Sequence, residues 1–220
     1  MIQGAIFDMD GTLLDTLFLW DVLWRHLSDV FSLPKPFAPT PQEDRSFRTV
    51  PIVQALEVVH SRYGIGQSTR ELVDITHNLF DDFYTNRVEC KPGAVALLDG
   101  LQARGVKMCL VTGSDQRVAE LGLEHCGLKK YFQRILCCPQ LHTTKNEPFI
   151  FEKALEALGT PREHTWVFDD SLAALQTAQA AGFPTVGVFD RHSAGQEQIR
   201  ALCTRYLAQD MPLDSVLPLL

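Results

Sequence analysis

The amino-acid sequence predicts an α/β fold, a doubly wound parallel sheet with an α-helical segment inserted after the first strand. Three observations predict it. From Cys90 onward, short apolar runs alternate with helical patterns, the rhythm of parallel strands joined by crossover helices. Several of these runs stop at acidic or small polar residues, where the strands of such a sheet meet a ligand-binding rim. Between the first apolar run and Cys90 the periodicity is helical only. The chain has 220 residues, 45% of them hydrophobic, which suits one moderately large domain or a core with a smaller insert. Residues 1–15 and 90–220 are read as the core and residues 16–89 as the helical insert.

Taken in order, Ala5, Ile6 and Phe7 form the first strand, ending at Asp8, and Gly11 permits a sharp turn just beyond. In the insert, Trp20, Leu23, Trp24 and Leu27 share one helical face, Ile52, Leu56 and Val59 a second after Pro51, and Leu72, Ile75, Leu79, Phe80 and Phe83 a third. The aromatic pair Trp20 and Trp24 reads as core of this insert. The proline-rich stretch Leu33 to Pro41 is a loop. Then come a helix from Gly93 to Ala103, a strand from Val106 to Val111 ending at Thr112, Gly113 and Ser114, and a helix from Asp115 to Cys126 closed by Gly127. Arg134 to Cys138 is the third strand, Pro148 to Leu158 a helix, and Thr165 to Phe168 a strand stopping at Asp169 and Asp170. A helix from Leu172 to Ala181 and a last core strand from Thr185 to Val188 follow, and the Leu-rich tail after Met211 packs back on the body.

Composition narrows the partners. A net charge of −7 argues against nucleic acid or an anionic membrane surface, both of which reward a basic face. No run of about 18 apolar residues occurs, and the N-terminus shows no basic segment followed by an apolar one, so a cytoplasmic protein is expected. The six cysteines have neither CxxC nor metal-finger spacing and read as reduced, mostly buried thiols. The seven histidines show no paired ligand spacing.

The chemistry gathers at the strand ends. Asp8 and Asp10 lie two apart, and on extended backbone both carboxylates would face one small volume, where they repel unless a cation intervenes. A hard divalent ion held by oxygen ligands, Mg2+, answers this, leaving one carboxylate to attack or to move protons. Thr112 with Gly113 and Ser114 offers a hydroxyl and free amides, Asp169 and Asp170 a second acidic pair, and Lys145 a cation in a connection leading to a helix. Singly, each has a plainer reading as turn residue, helix cap or solvated lysine. Assembled in this order, they are a metal site beside an anion site, which is equipment for phosphoryl transfer.

These residues resemble the haloacid dehalogenase superfamily, in particular its phosphatases with a helical cap after the first strand. The family's first motif, DxDGT, stands as Asp8, Met9, Asp10, Gly11 and Thr12. Thr112 is similar to its second motif, Lys145 to its motif lysine, and Asp169, Asp170 and Ser171 to its final acidic motif. Phe149 and Ala174 depart from what many relatives carry and bear on subfamily placement. The resemblance implies Asp8 as nucleophile, Asp10 as the acid and base for the leaving alcohol and for water, and Thr112, the Gly113 amide and Lys145 on the phosphoryl oxygens, with Ser114 beside them. It implies Mg2+ held by Asp8, Asp10 through its backbone carbonyl, Asp170, and Asp169 directly or through water.

On this reading the partner is a small phosphorylated metabolite, and the protein is a monomer or weak dimer. Substrate choice is expected in the cap, with Arg45 or Arg48 gripping the leaving group. The alternative is that both pair with Glu43 and Asp44 at the surface. A dehalogenase would not need Asp10, and a phosphonatase would need a cap lysine where the only one is Lys35. A sugar phosphomutase of the beta-phosphoglucomutase type uses the same four motifs and stays open, as does a catalytically silent binding module.

Overall fold

The structure, a computed structural model, describes residues 1–48 and 50–220. It divides into two compact units, Met1–Leu17 with Val88–Leu220, and Phe18–Arg87.

The first unit begins with β1 (Gly4–Phe7), whose four residues are all buried. Continuous burial is what a central parallel strand requires, because both its faces are covered. The chain then builds the four helices of the second unit. Here α1 (Leu19–Val30), α2 (Pro41–Phe47), α3 (Ile52–Tyr63) and α4 (Thr69–Asn86) enclose Leu23, Trp24, Leu27, Phe47, Ala55, Leu56, Val59 and Leu72. Helix α2 follows directly on the proline-rich stretch and had no counterpart in the sequence reading. Its start is a capping box: the Thr40 hydroxyl accepts the Glu43 N–H while the Glu43 carboxylate accepts the Thr40 N–H, with Pro41 in the first turn. A box of this kind contributes about 1 kcal/mol, enough to hold seven residues helical once Phe47 is buried against the unit's core. The loop before it is pinned where the buried Ser28 hydroxyl accepts the Phe37 N–H at 2.7 Å.

Back in the first unit come α5 (Ala94–Ala103), β2 (Lys107–Thr112), α6 (Gln116–His125), β3 (Arg134–Cys137) and α7 (Phe149–Leu158). They are followed by β4 (Thr165–Asp169), α8 (Leu172–Ala180), β5 (Thr185–Val188), α9 (Gln196–Leu202) and β6 (Arg205–Leu207). All pairings are parallel, in the order β3-β2-β1-β4-β5-β6. The predicted doubly wound sheet is therefore present, with one strand and one helix more than expected. One face packs Ile6, Cys109, Val111 and Val167 on Ile150, Phe151 and Ala154 of α7 and Ala174 and Ala178 of α8. On alternate positions Phe7 stacks on Phe168 with ring centroids 4.3 Å apart. Each such buried side chain contributes roughly 2 kcal/mol of transfer free energy.

The tail returns as a 3-10 segment, Leu213–Leu219, along α5. Gly100 makes room for it, since a Cβ there would lie 2.6 Å from Leu217. All six cysteines are free thiols; Cys109, Cys137 and Cys138 are buried, whereas Cys90, Cys126 and Cys203 are only partly covered. Among the described residues no helix is long and apolar enough to cross a membrane.

Candidate active site

Strand order reverses between β1 and β4, so the loops leaving these neighbours diverge and open a crevice at their carboxyl ends. Asp8 follows β1 there, Asp169 ends β4, and Asp170 comes next. One oxygen of each of these three carboxylates lies within 4.8 Å of the others, and all three side chains are buried. The turn after β1 brings them this close. Met9 O accepts the N–H groups of Thr12, Leu13 and Leu14, and Gly11, at φ +83°, passes so near Asp170 that a Cβ would sit 2.8 Å from its carboxyl carbon.

Lys145 enters from the loop before α7 and places Nζ 2.6 Å from Asp8 Oδ1 and 2.8 Å from Asp169 Oδ2. Burial works against its charge, yet the Asp169 and Asp8 carboxylates outweigh burial and hold the lysine protonated well above its ordinary range. One cation does not neutralise three anions. Burial pushes Asp169 up to about 6, against the pull of Lys145 and with the push of Asp8, and burial together with Asp8 and Asp169 holds Asp170 well above the ordinary carboxylate range. A donor set of three close, buried carboxylate oxygens fits a hard dication such as Mg2+.

Asp10, expected to share a small volume with Asp8, has hydrogen-bond partners of its own. Its carboxylate accepts from Thr16 Oγ1 at 2.8 Å and from Ser114 Oγ at 2.7 Å, and among the described residues it is outside the three-carboxylate group. The reason is local: β1 ends at Phe7, so the alternation of an extended strand no longer governs residues 8 to 10. Among the described residues the three carboxylates close enough to share one cation are therefore Asp8, Asp169 and Asp170.

At the end of β2, Thr112 is buried and its Oγ1 accepts the Ser114 N–H at 3.0 Å, which leaves the hydroxyl hydrogen to donate. Gly113 is open on its side-chain face, where a Cβ would meet nothing within 4 Å. The Ser114 hydroxyl, read as an anion ligand, donates to Asp10 Oδ2 at 2.7 Å. Arg45 and Arg48 belong to the second unit. Arg48 is committed there, with Nε 2.7 Å from Asp44 and a second contact to Asp21, whereas Arg45 is exposed on α2. Glu43 pairs with Arg62 and Tyr63, and with neither of these arginines. Sequence reasoning missed Thr12, Thr16 and Ser193, all of which donate hydroxyl hydrogens to site carboxylates. Thr12 closes the first motif and Thr16 lies four residues beyond it, and that proximity was the available signal.

Such a sheet, with carboxylates at its switch point and a lysine and hydroxyl beside them, is an α/β core whose rim has the groups that phosphoryl transfer needs. The chain belongs to the haloacid dehalogenase-like hydrolase family, whose sequence profile matches residues 5–188. It is 27% identical over 201 residues to a phosphorylated carbohydrates phosphatase of Thermotoga maritima, covering 91% of each chain. It is 29% identical over 186 residues to a fructose-1-phosphate phosphatase of Escherichia coli, covering 84% of this chain and 95% of that one. Among solved structures it superposes, with a TM-score of 0.80 and 25% identity over 99% of its length and 98% of the other, on a Thermotoga maritima protein provisionally named a beta-phosphoglucomutase.

Proposed function

We propose that the protein is a cytoplasmic, Mg2+-dependent phosphatase of a small phosphorylated metabolite, working through an aspartyl phosphate on Asp8. The observation that carries this reading is the division of labour between the two aspartates of the first motif: Asp8 faces Lys145, Asp169 and Asp170, while Asp10 is held apart by two hydroxyls. Asp8 attacks phosphorus, the bond from phosphorus to the substrate oxygen breaks, and Asp10 gives that oxygen a proton. Asp10 then takes a proton from water, whose oxygen attacks phosphorus and frees the Asp8 carboxylate and phosphate. Thr112, the Gly113 amide and Lys145 bind the phosphoryl oxygens. Asp8, Asp170 and the Asp10 backbone carbonyl, with Asp169 directly or through water, would hold Mg2+, which would supply the positive charge that lets an anionic nucleophile approach an anionic substrate. Two relatives are named for sugar phosphates, others for pyrophosphate or phosphoglycolate, so small phosphorylated metabolites of these three kinds are the substrates to test.

The discriminating experiment measures phosphate release from phosphorylated sugars, nucleotides, glycolate and amino acids with Mg2+. Release from one of these at a rate well above the rest supports the proposal. Isomerisation without release would assign a mutase, and binding without turnover a silent module.

Metal binding has a second expected signature, in stability. A carboxyl whose folded pKa is raised, as Asp169 is to about 6, contributes stability below its unfolded value of about 4 and loses it as pH rises through 6. The metal-free protein should therefore be weakened at neutral pH, where a cation relieves the repulsion. At a hundredfold excess over Kd, Mg2+ should stabilise by about 2.7 kcal/mol, raising Tm by roughly 5–10 °C at neutral pH and by much less near pH 5. Equal shifts at both pH values would place the ion elsewhere.

For substrate choice, Arg45 is the better placed of the two arginines, because Arg48 is already paired. Arg45→Ala should raise KM for the preferred substrate by about tenfold, the worth of a charge-assisted contact, and leave p-nitrophenyl phosphate hydrolysis unchanged. Equal losses on both substrates would assign Arg45 to the fold.

A further inference from the structure

The loop between β5 and α9 is built with more polar connections than a surface turn needs, and they converge on one hydroxyl. Lys91 Nζ lies 2.8 Å from Asp190 Oδ2 and donates to Phe189 O at 2.8 Å; both side chains are almost wholly covered, at 11% and 4% exposure. The other Asp190 oxygen accepts the His192 N–H at 2.8 Å, and the Asp190 carbonyl accepts the Ser193 N–H at 3.1 Å. Gln196 closes the turn by donating to the carbonyls of Asp190 and Ser193, and its own side-chain oxygen accepts from Tyr206 in β6. Ser193, fixed this way, donates through Oγ to Asp170 Oδ2, while Thr12 Oγ1 donates to Asp170 Oδ1 at 3.0 Å.

We infer that Ser193 is a positioning residue for Asp170, and that the Lys91–Asp190 pair and Gln196 exist to hold it there. Each Asp170 oxygen then has one lone pair committed to a hydroxyl and one left to aim at a cation. Two donors on opposite oxygens fix the rotation of the carboxylate about its last bond, which a single donor leaves free. Hydrogen-bond partners of this kind behind a metal ligand typically govern affinity by 10- to 100-fold. Thr12 lies within the first motif, but Ser193 lies 23 residues beyond Asp170, outside every motif named above. The inference rests on the proposed metal site and adds a determinant of its affinity.

Isothermal titration of Mg2+ into the apoprotein reads this without turnover. Ser193→Ala is expected to weaken Mg2+ binding by about tenfold, with kcat at saturating Mg2+ within about threefold of wild type, because the carboxylate is mis-aimed and still present. Ser193→Thr, which keeps the hydroxyl, should recover most of the affinity. Asp190→Asn, which leaves Ser193 itself intact and loosens its loop, should weaken binding in the same direction. Wild-type affinity in Ser193→Ala overturns the inference while leaving the metal site standing, and a wild-type protein that binds no Mg2+ overturns both. Loss of thermal stability in Ser193→Ala with unchanged affinity would also overturn it, since that is what a purely structural serine would give.

Discussion

Asp8→Asn is expected to lower kcat by at least a thousandfold while the protein folds and melts within a few degrees of wild type. The substitution keeps the shape of the side chain and its place at the end of β1, and it removes the attacking anion; losing a covalent nucleophile costs on the order of 10³ or more. Folding should survive because the amide also removes one of three crowded negative charges, which offsets the ion pair lost to Lys145. A variant with more than a tenth of wild-type turnover would exclude Asp8 as nucleophile.

Lys145→Met should injure the protein in two separable ways. In metal-free buffer it leaves Asp8, Asp169 and Asp170 without their paired cation in a buried site, which costs about 3 kcal/mol and roughly 10 °C in Tm. Mg2+ should restore much of that Tm, because the deficit is one of positive charge. Turnover should stay down by about 10² to 10³ even at saturating Mg2+, because the phosphoryl oxygens lose a donor that the cation does not replace. Unchanged melting without metal would mean that Lys145 does not neutralise the cluster. Mg2+ rescue of turnover would mean that neutralising is all it does.

The sequence made some of this legible and hid the rest for physical reasons. The sheet could be read because β1, β2, β4 and β5 are buried on both faces and so are written in apolar side chains. Strand β6 is three residues at the sheet edge, Arg-Tyr-Leu, with one of them exposed, too short and too polar to give a period. Helix α2 is seven residues, and its capping box was visible as Thr40-Pro41-Gln42-Glu43 but overshadowed by the prolines before it. Asp8, Thr112, Asp169 and Asp170 could be placed at one rim from the sequence because strand ends in a parallel sheet share it, and Lys145 could be singled out in the connection to α7. Ser193 and Asp190 could not, since their roles come from which loop the fold sets behind Asp170, a relation no local spacing encodes. Nor could the sequence tell that the Asp10 carboxylate pairs with the Thr16 and Ser114 hydroxyls, because β1 ends at Phe7 and the turn beyond it follows no simple period.

The proposed mechanism requires the phosphoryl group to pass onto Asp8, and trapping it there is the most direct measurement. In Asp10→Asn, a good leaving group such as p-nitrophenolate departs without acid help, whereas water no longer has its base, so the second step should stall. Mixing this variant with p-nitrophenyl phosphate and Mg2+ should give a burst of about one equivalent of nitrophenolate per site, then slow release. Acid quenching and peptide mass spectrometry should find the added phosphoryl group on the peptide containing Asp8. No burst and an unmodified Asp8 peptide, in a variant that still turns the substrate over steadily, would contradict the covalent mechanism and leave direct attack by water in its place.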